Sequence, residues 1–207
     1  YFKTDFMLFG AEHGPDRAVW HQPGRSRIAI WREMAAIIRA EIGDALWLGC
    51  GCPLWASVGY VDAVRIGRDL GVTWHGEYSA ESLLRDLATR NHANGLLWQA
   101  DPDCLLLRDR FHELTDQQIT SLARYGAAGG GVLMTSDTLA ELSPARAELF
   151  AELLRAPAEP CTFPFLGQDR GPVIEYRQGG TEQVFNLSDQ TLETGGLVVP
   201  PFATASR

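Results

Sequence analysis

Cysteine is scarce in this chain of 207 residues: Cys50, Cys52, Cys104 and Cys161 are its four. They are too few for a disulfide scaffold, and Cys50 and Cys52, one residue apart, are poorly placed to pair with each other. A C-x-C with His75 and His112 lacks the second C-x₂₋₄-C pair that structural zinc sites use, so neither metal nor cofactor is expected. Cations are also in deficit, 18 against 26 acidic residues, a formal charge of −8. A nucleic-acid groove or an anionic membrane surface wants clustered Lys and Arg, so neither partner is expected. Long apolar runs are missing too; Arg, Asp or Gly interrupts each one well short of the ~20 residues of a membrane span. No signal-peptide pattern stands at the start, and a cytoplasmic location is the expectation. Neutral partners such as sugars remain open.

What is present is an ordinary globular composition, 45% hydrophobic and 21% charged, which excludes a disordered chain. Residues 1–156 alternate short apolar runs with helical patterns, as βαβ units do. Strands are expected at Tyr1–Phe9, Ala45–Cys50, Ala63–Ile66, Gly95–Ala100 and Ala127–Thr135, with a long loop over Gly10–Gly24. A helix over Arg27–Ile42 would carry Ile30, Met34, Ile37 and Ile38 on one face and stop at Gly43. Ser79 caps a helix to about Ala93. Thr115 and Gln118 form a capping box for one to about Tyr125, and Ser143-Pro144 opens a last helix to about Arg155. Residues 157–207 change character: prolines cluster, then β-type runs follow at 173–177, 182–186 and 196–199. They read as a small antiparallel β-domain.

Polar residues fall at or just after strand C-termini: Asp5, Cys50, Asp69, Asp101 and Asp137. Active sites of TIM barrels and open α/β sheets lie at that end. Lys3 and Asp5 share one side of a strand, and an ammonium beside a carboxylate keeps it ionised and nucleophilic; the alternative is a plain strand-end ion pair. Asp69 closes Arg65-Ile66-Gly67-Arg68-Asp69, where a salt bridge is the plain reading and a second catalytic carboxyl the sharper one. Two carboxylates from different strand ends are what glycoside hydrolysis requires.

Several motifs stand in register along the chain. They are Lys3-Thr4-Asp5-Phe6, Gly49-Cys50-Gly51-Cys52-Pro53-Leu54, Ser57-Val58-Gly59, Val61 to Asp69, Trp74, Trp98 to Leu105, and Gly130 with Met134 to Leu139. In that order they resemble the melibiase-type glycoside hydrolases, the α-galactosidases and relatives of families 27 and 36. The resemblance implies strands four to eight of a (β/α)₈ barrel over residues 1–156, then a C-terminal antiparallel β-sandwich-like domain over 157–207.

It further implies a retaining exo-α-glycosidase acting on terminal α-galactosides by double displacement. Asp5 would be the nucleophile and Asp69 the acid/base. Lys3, Arg65, Cys50 and Trp74 would bind substrate. The two carboxyls would then stand about 5–5.5 Å apart. Trp55, His75 and Tyr78 share with Trp74 the choice between stacking on a sugar and burial in the barrel shell. The chain departs from the family pattern at Gly51 and Cys52 and at Ala100, which replaces the Asn of N-D-P-D; both positions bear on sugar selectivity. The rivals are an α-N-acetylgalactosaminidase or other clan member, and a non-catalytic sugar-binding relative.

A whole barrel needs roughly 250 residues. The expectation is therefore a piece that associates with the other barrel half or closes as an oligomer. Asn186-Leu187-Ser188 matches a glycosylation sequon that arises often by chance. Gly129-Gly130-Gly131 lacks the Lys-Ser/Thr of a phosphate loop and precedes a strand rather than a helix.

Overall fold

The fold is that of a computed structural model, which describes residues 1–7, 17, 19–156 and 159–207. Four short strands, β1 (Phe2–Thr4), β2 (Trp47–Gly49), β3 (Ala63–Arg65) and β4 (Gln99–Asp101), form one sheet in the order β1-β2-β3-β4, parallel throughout. Between and after them run α1 (Arg27–Ile42), α2 (Ala80–Arg90), α3 (Asp116–Ala128) and α4 (Pro144–Arg155). Five further strands follow. β5 (Val173–Gln178), β6 (Thr181–Asn186) and β9 (Thr204–Ser206) form an antiparallel sheet, and β7 (Leu192–Thr194) pairs with β8 (Leu197–Val199). The architecture is thus α/β, a parallel sheet with helices followed by antiparallel strands. Among the described residues no helix is long and apolar enough to cross a membrane.

Local chemistry explains the helix ends. Ser26 caps α1 by accepting from the Ala29 amide, and both α2 and α3 start with reciprocal capping boxes, Ser79–Ser82 and Thr115–Gln118. Pro144 opens α4 as expected, although the Ser143 side chain makes no capping bond. The buried stripe of α1 is rotated from the one expected. Trp31 and Ala35 are fully buried, with Met34, Ile38 and Ile42 beside them, whereas Ile37 is 59% exposed. The indole is the largest apolar group on the helix, and its burial turns the helix so that Ile37 faces out.

The strand expected over Ala127–Thr135 is the clearest departure. Helix α3 runs on to Ala128, and only Leu105 and Thr135 make an isolated parallel bridge. The triple glycine explains this. Gly129 closes α3, Gly130 turns at φ +67°, and Gly131 lies so close to β4 that a Cβ would run into the Ala100 carbonyl. The next amide, Val132, donates to that carbonyl at 2.8 Å. Of the expected strand Tyr1–Phe9 only Phe2–Thr4 pairs; its last two residues, and most of the loop over 10–24, lie outside the described residues.

One apolar core joins the parallel and antiparallel regions. Trp31, Trp47, Leu84, Tyr125 and Phe185 are fully buried in it. The Tyr125 ring stands edge-on to Tyr176, with centroids 5.5 Å apart, and its hydroxyl donates to the Leu84 carbonyl at 3.0 Å. Asn186 of the sequon is fully buried. Its amide donates to the carbonyls of Gln190, Val199 and Pro200 at 2.7, 3.1 and 2.9 Å, so in the fold it ties loops together.

Candidate active site

Parallel pairing brings the site together. The Cys50 amide donates to the Thr4 carbonyl at 2.8 Å, so Asp5 and Cys50 leave the sheet side by side at its C-terminal end. The chain turns at once: Phe6 has φ +53° and donates its amide to the Asp5 carboxylate at 2.7 Å. Gly51, at φ +61°, makes the matching turn after β2, against the backbone of Phe6 and Met7. Asp5 is held ionised, below the usual carboxylate range. The Cys50 thiol donating to it is the main cause, and the Phe6 amide follows; the Lys3 and Arg65 charges add less. The lysine expected to keep Asp5 charged does contribute, but behind the thiol and the amide. Cys50 itself is pushed up to about 12 by burial and by Asp5, so it is a hydrogen-bond donor and not a thiolate.

Lys3 stands two positions before Asp5 on β1 and is exposed. It is the only lysine of the chain, which otherwise uses arginine for every cation. An ammonium gives three donors with no fixed plane, suited to hydroxyls at varied angles.

Arg65 ends β3 and is buried. Its Nη2 meets Asp69 at 2.9 Å and Asp103 at 2.8 Å, and its Nη1 lies 3.8 Å from the Cys50 sulfur. Burial works against its charge, and Asp103, Asp101, Cys50 and Asp69 more than offset this. Its Nε finds no partner. Asp69 is the most open member, with its side chain 81% exposed. Its backbone is nevertheless pinned on both sides: the Arg68 amide donates to Asp86 at 3.0 Å and the Leu70 amide to Asp103 at 2.6 Å. Gly67 makes the first of these bonds reachable, because a Cβ there would stand 2.8 Å from the Asp86 side chain.

Lys3, Asp5, Cys50, Arg65 and Asp69 therefore gather at the C-terminal ends of β1, β2 and β3. Trp74 does not join them. It is buried, its ring 4.8 Å from Phe202 and 6.3 Å from Phe185, and its indole donates to the Leu187 carbonyl at 3.2 Å. The antiparallel strands cover it, so the sugar-stacking role is corrected to a core one. Trp55 is 63% exposed but its ring lies tilted against Trp98, with centroids 5.6 Å apart; Trp98 precedes β4, so Trp55 belongs to the other end of the sheet. His75 pairs with Glu81 on the surface. Asp137 is buried and accepts from the Leu107 and Arg108 amides and the Thr135 hydroxyl, which makes it a loop anchor. Among the described residues no three His, Cys, Asp or Glu side chains gather as a metal group would need.

Two residues enter that sequence reasoning passed over as site members. Asp101, at the end of β4, is fully buried with one carboxylate oxygen lacking a partner, and burial pushes its carboxyl up against the pull of the Asp103 amide, Arg65 and Lys3. Asp103 takes φ +95°, an unusual conformation for a non-glycine residue, while gripping Arg65 and Leu70. The available signal was two aspartates flanking Pro102 at a strand end.

No protein-family model matches the chain. Solved structures do. The α-galactosidase of Thermus thermophilus in complex with p-nitrophenyl α-D-galactopyranoside aligns over 88% of this chain at 25% identity, with TM-score 0.62. This chain is related to the melibiase-type glycoside hydrolases. Two further solved structures match in fold. α-Galactosidase I of Mortierella vinacea aligns over 86% of the chain at 10% identity, TM-score 0.68, and a family 27 β-L-arabinopyranosidase of Geobacillus stearothermophilus over 99% at 15% identity, TM-score 0.68. The chain spans 36% of the Thermus enzyme's length and 62% and 56% of the other two.

Proposed function

We propose that this chain carries the catalytic pair of a retaining α-glycosidase, with terminal α-galactosides as substrates. The observation that carries the reading is the contact chain Asp5–Cys50–Arg65–Asp69, which places two carboxylates from different strand ends around one buried guanidinium. In the first step an Asp5 oxygen attacks the anomeric carbon. The bond to the leaving oxygen breaks, and Asp69 gives that oxygen its proton. In the second step water attacks the same carbon, Asp69 takes the water's proton, and the bond to Asp5 breaks. Asp5 suits its part because it is ionised. Lys3 and Arg65 are the donors to sugar hydroxyls, and Cys50 orients the nucleophile. On this reading β1 to β4 are strands four to seven of a (β/α)₈ barrel, the stretch at Thr135 begins the eighth, and residues 157–207 are the following β-domain.

The test uses the full-length protein with p-nitrophenyl α-D-galactopyranoside. Asp5→Ala should lower kcat/KM by about 10⁴-fold or more, and azide should restore turnover with the β-configured glycosyl azide as product. Asp69→Ala should spare this activated substrate and slow methyl α-D-galactopyranoside by about 10²- to 10⁴-fold, because only the poor leaving group needs the proton. Wild-type rates in Asp5→Ala would sink the assignment. A panel of p-nitrophenyl α-glycosides identifies the sugar.

A further inference from the structure

We infer that Asp103 is the positioning residue for the acid/base carboxyl, acting on Asp69 through both its ion-pair partner and its backbone. Three bonds leave one carboxylate. Oδ1 holds Arg65 at 2.8 Å and accepts the Cys104 amide at 2.7 Å, and Oδ2 accepts the Leu70 amide at 2.6 Å. Leu70 adjoins Asp69, and the same Arg65 Nη2 that meets Asp103 meets Asp69. Asp69 thus hangs from Asp103 by two routes, while its own side chain stands in solvent and has little packing to hold it.

The geometry that allows this is costly. A non-glycine residue at φ +95° is strained. Two bonds keep it there: the Asp103 amide donates to the buried Asp101 at 2.9 Å, and its carboxylate turns back on its own following amide at Cys104. Asparagine would keep the shape and lose the charge on Arg65. Glycine would relieve the backbone and lose the carboxylate altogether. Neither removes buried apolar volume, so both variants should fold.

This inference rests on the glycosidase reading, and the experiment separates the two. Asp103→Asn and Asp103→Gly are measured in the full-length protein on p-nitrophenyl and methyl α-D-galactopyranoside, beside Asp69→Ala and the double variant Asp69→Ala/Asp103→Asn. A leaving oxygen that needs a proton is sensitive to where the acid stands; p-nitrophenolate is not. Both Asp103 variants should therefore lose about tenfold more kcat on the methyl glycoside than on the aryl one. In the double variant that selective loss should not add to the loss of Asp69→Ala alone. Equal losses on the two substrates, with or without a fall in melting temperature, would mean that Asp103 only supports the loop, and would overturn the inference. So would full additivity in the double variant. If Asp69→Ala itself fails to discriminate the substrates, the acid/base assignment falls and takes the Asp103 role with it. Discrimination by Asp69→Ala but not by the Asp103 variants removes this inference alone.

Discussion

The two ends of the parallel sheet each hold an arginine–aspartate pair, and they are built differently. At the N-terminal end Arg39 meets Asp62 at 2.7 Å. Arg39 spends its remaining donors on the carbonyls of Gly43, Ala45 and Tyr60, and Asp62 also accepts the Trp47 amide at 2.8 Å. Every group there closes a loop onto a strand. At the C-terminal end Arg65 serves two carboxylates and a thiol yet leaves Nε without a partner, and the buried Asp101 beside it keeps one oxygen unpaired. The first pair ties loops to strands. The second gathers two carboxylates and a thiol on one buried guanidinium where β1, β2 and β3 end, the end of a parallel sheet at which ligands bind.

The largest expected effect breaks the second pair by geometry alone. Arg65→Lys keeps the charge but loses the planar fork whose Nη2 meets Asp69 and Asp103 while Nη1 reaches Cys50, and a single ammonium does not hold all three in place. It should lower kcat/KM for p-nitrophenyl α-D-galactopyranoside by about 10²-fold through misplacement of the carboxyls, with a melting temperature close to wild type. Arg39→Lys should do the reverse. It strands the Tyr60, Gly43 and Ala45 carbonyls and should destabilise by about 1–3 kcal/mol, seen as a melting temperature lower by several degrees, with kcat unchanged. If the two variants trade these phenotypes, the distinction between the sheet ends is wrong.

A smaller effect sharpens the comparison through pH. The Cys50 thiol is the main group holding Asp5 below the ordinary carboxylate range. In Cys50→Ala the Asp5 carboxyl should rise, still facing Lys3 and Arg65. Because the nucleophile must be ionised, the acidic limb of kcat/KM should move to higher pH. An unmoved limb in a folded variant would remove the thiol from the mechanism.

The smallest effect belongs to the other end. Burial raises Asp62, but the Trp47 amide and Arg39 more than offset it, so its folded value is lowered. A lowered carboxyl stabilises above its unfolded value of 3.8 and loses that contribution as pH falls through the folded one. The group is partly exposed, so the contribution is modest. Asp62→Asn should melt slightly below wild type at pH 7, and the gap should shrink below pH 4 in a pH series of melting curves.

Much of this was legible along the chain. Ser79 and Thr115 announce helix starts because caps act on amides three residues away, and Pro144 does so because its fixed φ suits the first helical position. Asp5, Cys50 and Asp69 could be located because a parallel strand places whatever follows it at one end of the sheet. Trp74 could not be separated from Trp55 in this way: both are tryptophans after strands, and only the antiparallel strands, more than a hundred residues on, decide which ring is covered. On α1 the expected face holds for Met34 and Ile38 but not for Ile37, since periodicity marks a stripe but not which neighbour pulls it inward.

Residue type and spacing by themselves determined the α/β order, the helix caps and the set of charged groups at the strand ends, because those depend on contacts a few residues apart. Tertiary structure alone decided that a thiol, rather than the lysine two positions away, chiefly holds Asp5 ionised. It alone also tied Asp103 to both Arg65 and Leu70 across thirty-odd positions of chain. Hydrogen bonds and ion pairs act over a few ångströms in space, and distance along the sequence does not enter their energy.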